Sequence, residues 1–258
     1  MVYRIFIAPV GFYYRRILHH IRDFMPDKIY LLTQSGLEEE VHAKSEWSKI
    51  TSENYEKIVS DLKGVYGKER VEKVPVDLRN YTEVFKIING LVRKGLEAGM
   101  GREVEIRFDV TSAPLRVRVA MINLATFFKE IEVYHTPAKG EYSPEEYNPK
   151  WAEDEGEKPE QLPISRSVSF HALEKNEFYK EIISTINKQP NKTVESQNKL
   201  LELIGKSKSK SNAMRLSRRL DELESYGIVV RTRLNEKDKS VSLTLLGQAI
   251  AESLVTVS

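Results

Sequence analysis

RFDVTSAPLRVRVAMINLATFF, residues 107–128, changes character twice over a short distance. Arg107–Val110 has the composition of a strand, Thr111–Pro114 is a turn of small residues, and Met121–Phe128 runs on at helical spacing without a charge. A strand that breaks at Thr-Ser-Ala-Pro and resumes as a largely apolar helix predicts half of a βαβ unit, with the turn at the carboxyl end of the strand.

The remainder of the first 135 residues repeats that alternation. Residues 2–10, 28–33, 71–76, 103–110 and 130–135 read as strands. Between them, 13–24, 52–66, 81–98 and 115–128 have helical spacing, the third of these ending in Gly-Met-Gly. In the second helix Tyr55, Ile58, Val59, Leu62 and Val65 share one face. This order predicts right-handed crossovers and an α/β, Rossmann-like fold: a mostly parallel sheet with helices on both faces.

Composition narrows the function classes. The absence of Cys removes disulfides, thiolate metal ligands and thiol nucleophiles, and suits a reducing or a hot environment. A chain that is 30% charged and rich in Glu and Lys has the composition of a thermophile protein. No run approaches the ~20 apolar residues of a spanning helix, and MVYRIFIAPVGFYY is too short to be one, so the expectation is a soluble, cytoplasmic protein with no membrane partner.

The net charge of +2 is unevenly spread. Residues 1–136 carry 21 Lys+Arg against 19 Asp+Glu; 137–165 carry 3 against 8; 166–258 carry 16 against 11. The acidic stretch also holds five Pro between Pro137 and Pro163, reading as a linker in which Tyr142, Tyr147 and Trp151 can pin the chain to a surface. Ile164–Phe170 is a candidate last strand. The expected organisation is therefore a ligand-sensing domain over 1–136, an acidic Pro-rich linker and last strand over 137–170, and a basic domain over 171–258.

In that basic domain, Phe178–Gln189 and Val194–Ile204 read as helices, and GKSKSKSN leads into a third that ends at Ser225-Tyr226-Gly227. Two β-rich runs around a charged turn follow, then a closing helix over Gly247–Leu254. Met214, Leu216, Leu220 and Leu223 supply a core face of the third helix, while Asn212, Arg215, Arg218 and Arg219 lie largely off it. Basic residues at its start and acids (Asp221, Glu222, Glu224) near its end oppose the macrodipole preference, as expected of a helix whose start meets a polyanion. Lys206, Lys208 and Lys210 add charge in the preceding turn, where Ser209 or Ser211 can cap the helix. Arg231, Arg233, Lys237 and Lys239 in the hairpin suit phosphates or a minor groove. The alternative is a helix-hairpin module for protein contacts.

If the sheet is doubly wound, its first and fourth strands are neighbours where strand order reverses, and ligands bind there beyond the carboxyl ends. The loops concerned are APVGFYYR (8–15) and DVTSAPLR (109–116). The first offers Pro9, Val10, Gly11, Phe12 and Arg15, and Thr33 ends the neighbouring strand. The second offers Asp109 at the strand end, donors on Thr111 and Ser112, close approach at Ala113, and Pro114 in a helix's first turn. Arg116 and Arg118, with Arg15 and Arg16 opposite, can neutralise phosphates. An ordinary strand-to-helix junction remains the alternative. Without G-x-G-x-x-G or a GKS/GKT loop, a dinucleotide cofactor or ATP hydrolysis has no support, and no cofactor is expected.

The segments NAMRLSRRLDELESYGIVVRT and LTLLGQAIAESL closely resemble the winged helix-turn-helix family. A Rossmann-like domain with Asp109-Val-Thr-Ser-x-Pro after its fourth strand, joined to such a module, resembles the CRISPR-associated Rossmann fold (CARF) family. Asp109, Thr111 and the small Ala113 match that family's D/N-x-S/T-x-G-T-K turn; Pro114 and Leu115 depart from it, and Arg116 stands one place later than the usual cation. The resemblance implies a homodimer whose paired domains bind a cyclic oligoadenylate, the tetra-adenylate first among them, and so modulate binding to double-stranded DNA in antiviral defence. It also admits slow cleavage of that ligand by an in-line ribose hydroxyl, with Thr111, Ser112 and Arg116 as positioning groups. A regulator sensing another metabolite is the third reading.

Val117, Ala120, Met121, Leu124 and Phe128 of the fourth helix can face the sheet, leaving Val119, Ile122 and Phe127 for a partner subunit or a neighbouring helix to cover. The adjacent His19 and His20 point about 100° apart on a helix and make a poor metal pair, so a solvated or interfacial role is expected. His42, His135 and His171 are scattered, with only His135 near the crevice, as a ligand or proton-transfer candidate. Glu38–Glu40 reads as a solvated run. No metal site and no catalytic constellation follow from spacing.

Overall fold

The computed structural model describes residues 1–35, 46–62, 64–137, 154–165, 170–233 and 239–255. The chain divides into two units, Met1–Ser165 and Arg166–Ser258.

In the first unit, strands β1 (Val2–Pro9), β2 (Lys28–Gln34), β3 (Val71–Val76), β4 (Glu103–Asp109), β5 (Ile131–His135) and β6 (Glu160–Gln161) form one sheet. Its order is β3-β2-β1-β4-β5-β6. The first five strands run parallel, and β6 pairs antiparallel to β5 through Tyr134↔Gln161 and His135↔Glu160. The expected Rossmann-like α/β fold is present, with strand order reversing between β1 and β4. The sheet's last strand falls before the expected Ile164–Phe170 run, whose residues 166–169 lie outside the described residues, and Phe170 opens a helix instead.

Period-two alternation sends β1 into both layers. Phe6 and Ala8 pack with Ile17 and Ile21 of α1 (Tyr14–Phe24) and with Ile58 and Leu62 of α2 (Glu46–Leu62). On the opposite face, α3 (Tyr81–Ala98) approaches Ile5 so closely at Gly95 that a Cβ there would lie 2.1 Å from the Ile5 Cδ1 atom. Helix α2 starts and ends earlier than the spacing predicts, and Val65, expected on its core face, is exposed because the chain leaves the helix at Leu62. Helix α4 (Leu115–Ala125) likewise stops short of Phe128. Val117, Ala120, Met121 and Leu124 are buried as expected, but beyond Ala125 the chain turns, so Phe127 rather than Phe128 is swallowed by the core.

The second unit contains α5 (Phe170–Lys175), α6 (Glu177–Asn187), β7 (Thr193–Val194), α7 (Gln197–Leu203), α8 (Lys210–Ser225), β8 (Val229–Arg233), β9 (Lys239–Leu243) and α9 (Leu245–Val255). The order of α6, α7, α8 and the β8–β9 hairpin follows the expected layout, with two additions. Helix α5 precedes it, and β7 pairs with β9, giving a three-stranded antiparallel sheet β7-β9-β8 where two strands were expected. Ser209, not Ser211, caps α8, its hydroxyl accepting from the Asn212 amide at 3.2 Å. Leu216, Leu220 and Leu223 form its core face, but Met214, expected there, is 60% exposed. Among the described residues no helix is long and apolar enough to cross a membrane.

Candidate functional site

Loops 8–15 and 109–116 meet beyond the carboxyl ends of β1 and β4. A Cβ added to Gly11 would lie 2.7 Å from the Ser112 carbonyl oxygen and 2.8 Å from its Cβ, so the absence of a side chain permits the approach. The Tyr13 amide donates to Ser112 Oγ at 3.3 Å, and Asn54 Nδ2 donates to the Gly11 carbonyl at 2.9 Å. Pro9, Val10 and Gly11 are buried and Phe12 is half-buried; the Val10 amide is tied to the Leu32 carbonyl at 2.8 Å. Thr33 is buried at the end of β2, its hydroxyl without a hydrogen-bond partner among the described residues.

Asp109 and Thr111 sit below this surface rather than on it. The fully buried Asp109 carboxyl accepts from the Thr111 amide through Oδ1 at 2.7 Å, while its Oδ2 lies 2.9 Å from Nδ1 of His20. The Thr111 hydroxyl accepts from the Thr136 amide at 2.9 Å, joining the ends of β4 and β5. Both side chains therefore hold the turn, which corrects the expectation that they face a ligand. Ser112, half-buried, and Ala113 with Pro114 at the mouth of α4 are the parts of the turn that approach loop 8–15 or the helix start.

Spacing misjudged His20. It is enclosed on α1 between Phe6 and Tyr134, each ring centroid 5.0 Å away, and its Nε2 has no hydrogen-bond partner among the described residues. Its position on the same helical face as Ile17, Ile21 and Phe24 is the signal that could have found it, just as Asn54 shares the buried face of Thr51 and Ile58. His19 stays at the surface, Nδ1 3.3 Å from the Glu155 carbonyl oxygen. His42 and Glu38–Glu40 lie outside the described residues, as does the His171 side chain. Among the described residues no group of three or more His, Asp or Glu is placed to hold a metal ion.

The arginines disperse around the two loops. Arg15 lies with its guanidinium 5.8 Å from the Tyr14 ring centroid, and Arg16 pairs with Asp154 at 2.7 Å. Arg116 is exposed, Nη1 donating to the Arg79 carbonyl at 2.5 Å; Arg118 reaches the Val110 carbonyl at 3.5 Å. Burial, and then the nearby Arg118, hold His135 below the usual imidazole range. Tyr13 and Pro114, the N-cap residues of α1 and α4 at the ends of the two loops, make no side-chain cap, whereas Asn80, Asn176, Ser196 and Ser209 cap α3, α6, α7 and α8. Two helix amino ends close together carry a positive dipole potential suited to an anion.

In the second unit the cations separate into two groups. Ser211, Met214, Arg215 and Arg218 are exposed at i, i+3, i+4 and i+7 along α8, with Arg218 82% exposed and 3.8 Å from Glu222. Lys210 is exposed at the start of α8; Lys208 lies 3.5 Å from Glu202, and Asn212 Nδ2 donates to the Ser207 carbonyl at 3.0 Å. Arg233 and Lys239 are exposed partners in the β8–β9 register, and Lys237 lies outside the described residues.

Arg219 and Arg231 are instead committed to carboxylates. Arg219 Nη1 donates to Glu222 Oε2 at 2.6 Å, and the Tyr179 hydroxyl donates to that same oxygen. Burial and then this bond push the Tyr179 phenol up to about 12, while the Tyr179 and Arg219 bonds hold Glu222 below the usual carboxylate range. The Arg231 side chain, only 12% exposed, reaches Asp221 at 2.5 Å and Glu224 at 2.6 Å. The acids near the end of α8 thus have structural partners, which corrects the expectation that Arg219 and Arg231 are presented to a polyanion.

Residues 4–142, more than half of the chain, match a family model described as "HFX_2341_N:-like, N-terminal". Among solved structures, Can2 from Sulfobacillus thermosulfidooxidans in complex with cyclic tetra-adenylate is similar at a TM-score of 0.41 and 10% identity. That alignment covers 98% of this chain and 65% of Can2. No curated protein matches the sequence.

Proposed function

The chain belongs to the HFX_2341_N:-like, N-terminal family, and from that premise we propose that it is a ligand-responsive DNA-binding transcription regulator. The α/β unit binds a cyclic oligoadenylate at the β1/β4 switch point, and the second unit, read as a winged helix-turn-helix domain, binds double-stranded DNA. The observation that carries this reading is the joining of Gly11 to Ser112 at the starts of α1 and α4, where strand order reverses. Such a place concentrates amide donors and positive potential for a phosphate-bearing ligand. The resemblance of Asp109–Arg116 to the CARF turn sets the ligand class within that chemistry.

Ser211, Arg215 and Arg218 form the reading face of α8, with Lys208, Lys210, Arg233 and Lys239 for phosphates. A homodimer belongs to the same reading, with the exposed apolar pair Leu115 and Val119, one turn apart on α4, as part of the face that a second copy covers. Its two DNA-binding domains then engage an inverted repeat.

The test is a titration of the protein with cyclic oligoadenylates of several ring sizes, followed by DNA affinity with and without the ring that binds. The reading requires saturable binding of one ring size and a shift in DNA affinity of severalfold or more. Heat from none of the rings rejects the ligand class, and the absence of DNA binding in both states rejects the regulator.

A further inference from the structure

Arg16 lies in the first turn of α1, one turn before His20, and its guanidinium stacks 4.2 Å from the Tyr13 ring centroid. Its Nη2 donates to Asp154 Oδ2 at 2.7 Å, with side-chain exposures of 5% and 8%. The two residues are 138 positions apart in sequence. Asp154 Oδ1 accepts from the Gly156 amide at 2.9 Å, so one carboxylate is gripped by a guanidinium and a backbone N–H together. That donor set is the one a phosphate oxygen takes in an anion site.

The short segment Asp154–Glu157 is pressed onto the carboxyl end of the sheet. The Glu157 amide donates to the Pro137 carbonyl at 2.9 Å. Gly156, at φ +73°, lies so close that a Cβ would meet Thr136 Cγ2 at 2.5 Å, the Pro137 carbonyl oxygen at 2.7 Å and Arg16 Cδ at 3.1 Å. Beneath it the Thr136 hydroxyl is fully buried with no hydrogen-bond partner among the described residues. Fold stability explains this poorly: a buried ion pair recovers little beyond its desolvation cost, and an unpaired buried hydroxyl adds to that cost.

We propose that Asp154 is an internal stand-in for a ligand phosphate, occupying Arg16 until an incoming anion displaces it and lifts the Asp154–Glu157 segment from Thr136. Arg16 and the Thr136 hydroxyl then join the ligand site. The inference deepens the proposed function and rests on its phosphate-bearing ligand at this end of the sheet. Because the anion must first displace the carboxylate, its apparent affinity is lowered by the fraction of chains in which the segment is closed. The same displacement converts binding into a movement of the segment next to β6.

The experiment compares the full chain with Asp154→Asn, Gly156→Ala and the double variant Arg16→Gln/Asp154→Asn, using inorganic pyrophosphate and cyclic tetra-adenylate as probes. Asp154→Asn removes the competing charge; Gly156→Ala dislodges the segment without changing any charge. Each single variant is expected to bind pyrophosphate about tenfold more tightly than the parent, the equivalent of one strong competing contact, and the double variant to lose the gain. Equal or weaker binding in the single variants overturns the proposal. In the parent protein, pyrophosphate should speed amide exchange at Gly156 and Glu157, a readout that survives poor folding of a variant; unchanged or slower exchange there also overturns it. If pyrophosphate behaves as expected and no variant binds cyclic tetra-adenylate, the displaced carboxylate stands and the ligand class fails. If cyclic tetra-adenylate binds parent and single variants alike, the ligand class stands and the displaced carboxylate fails.

Discussion

His20 Nδ1 lies 2.9 Å from Asp109 Oδ2, both side chains fully buried, joining α1 to the end of β4 across 89 residues of sequence. The other oxygen of Asp109 accepts the Thr111 amide, so this pair fixes the direction in which the chain leaves β4. The turn is shaped from below, by groups that touch no solvent.

Replacing His20 with Ala should destabilise the protein by about 3 kcal/mol, because the Asp109 carboxyl is left buried without its partner. The surface neighbour makes the control: His19→Ala should change stability by less than about 0.5 kcal/mol. Urea unfolding of the two variants checks both values, and similar losses would contradict the buried pairing.

Gly11→Ala should cost about 1–3 kcal/mol, since the new methyl must push apart two loops already in contact at Ser112. Ligand binding should suffer with it. Thermal melts and calorimetric titration of this variant measure the two effects; a variant that melts like the parent would show that the loops do not depend on their approach.

Stability should fall on mild acidification through His135. Burial and Arg118 keep its folded proton affinity below the ordinary 6.5, so the unfolded chain takes up a proton that the folded chain refuses. The contribution is complete above about pH 6.5 and is lost progressively as pH falls from there towards the lowered folded value. Unfolding midpoints between pH 8 and 5 should show this slope, and His135→Gln should flatten it.

The two groups of cations in the second unit should separate by assay. Arg215→Ala with Arg218→Ala should weaken DNA binding by roughly 1–3 kcal/mol for each arginine that reads a base, with little effect on melting. Arg231→Ala should lower the melting temperature, because it strips Asp221 and Glu224 of their shared partner. Filter binding and calorimetry on the same preparations decide the matter: a loss of DNA affinity in Arg231→Ala larger than in the double variant would reverse the assignment.

Much of the architecture is legible in the sequence. Strand and helix periods are local properties, so alternation through the first 135 residues was enough to call for parallel strands, and the small residues at 111–114 marked a turn at the end of β4. The apolar face of α8 was readable in the same way through Leu216, Leu220 and Leu223. Boundaries were less so: α4 stops at Ala125 although apolar residues continue to Phe128, because apolar composition does not tell a helix's last turn from the loop beneath it.

An alternating α/β fold, the two loops at the carboxyl ends of its central strands, and a basic helix-and-hairpin module after it are all legible in local composition and period. Which polar residues belong to the interior is set by packing between elements. Asp109 and His20 meet because β1 and β4 are neighbours, Arg16 meets Asp154 because the chain returns over the sheet end, and Arg231 meets Glu224 because β8 runs back along α8. Periodicity reports which face of an element a residue occupies, whereas partners across long sequence separations depend on strand order and packing; that is why charge patterning alone does not show that Asp109 and Arg231 are held by partners within the fold.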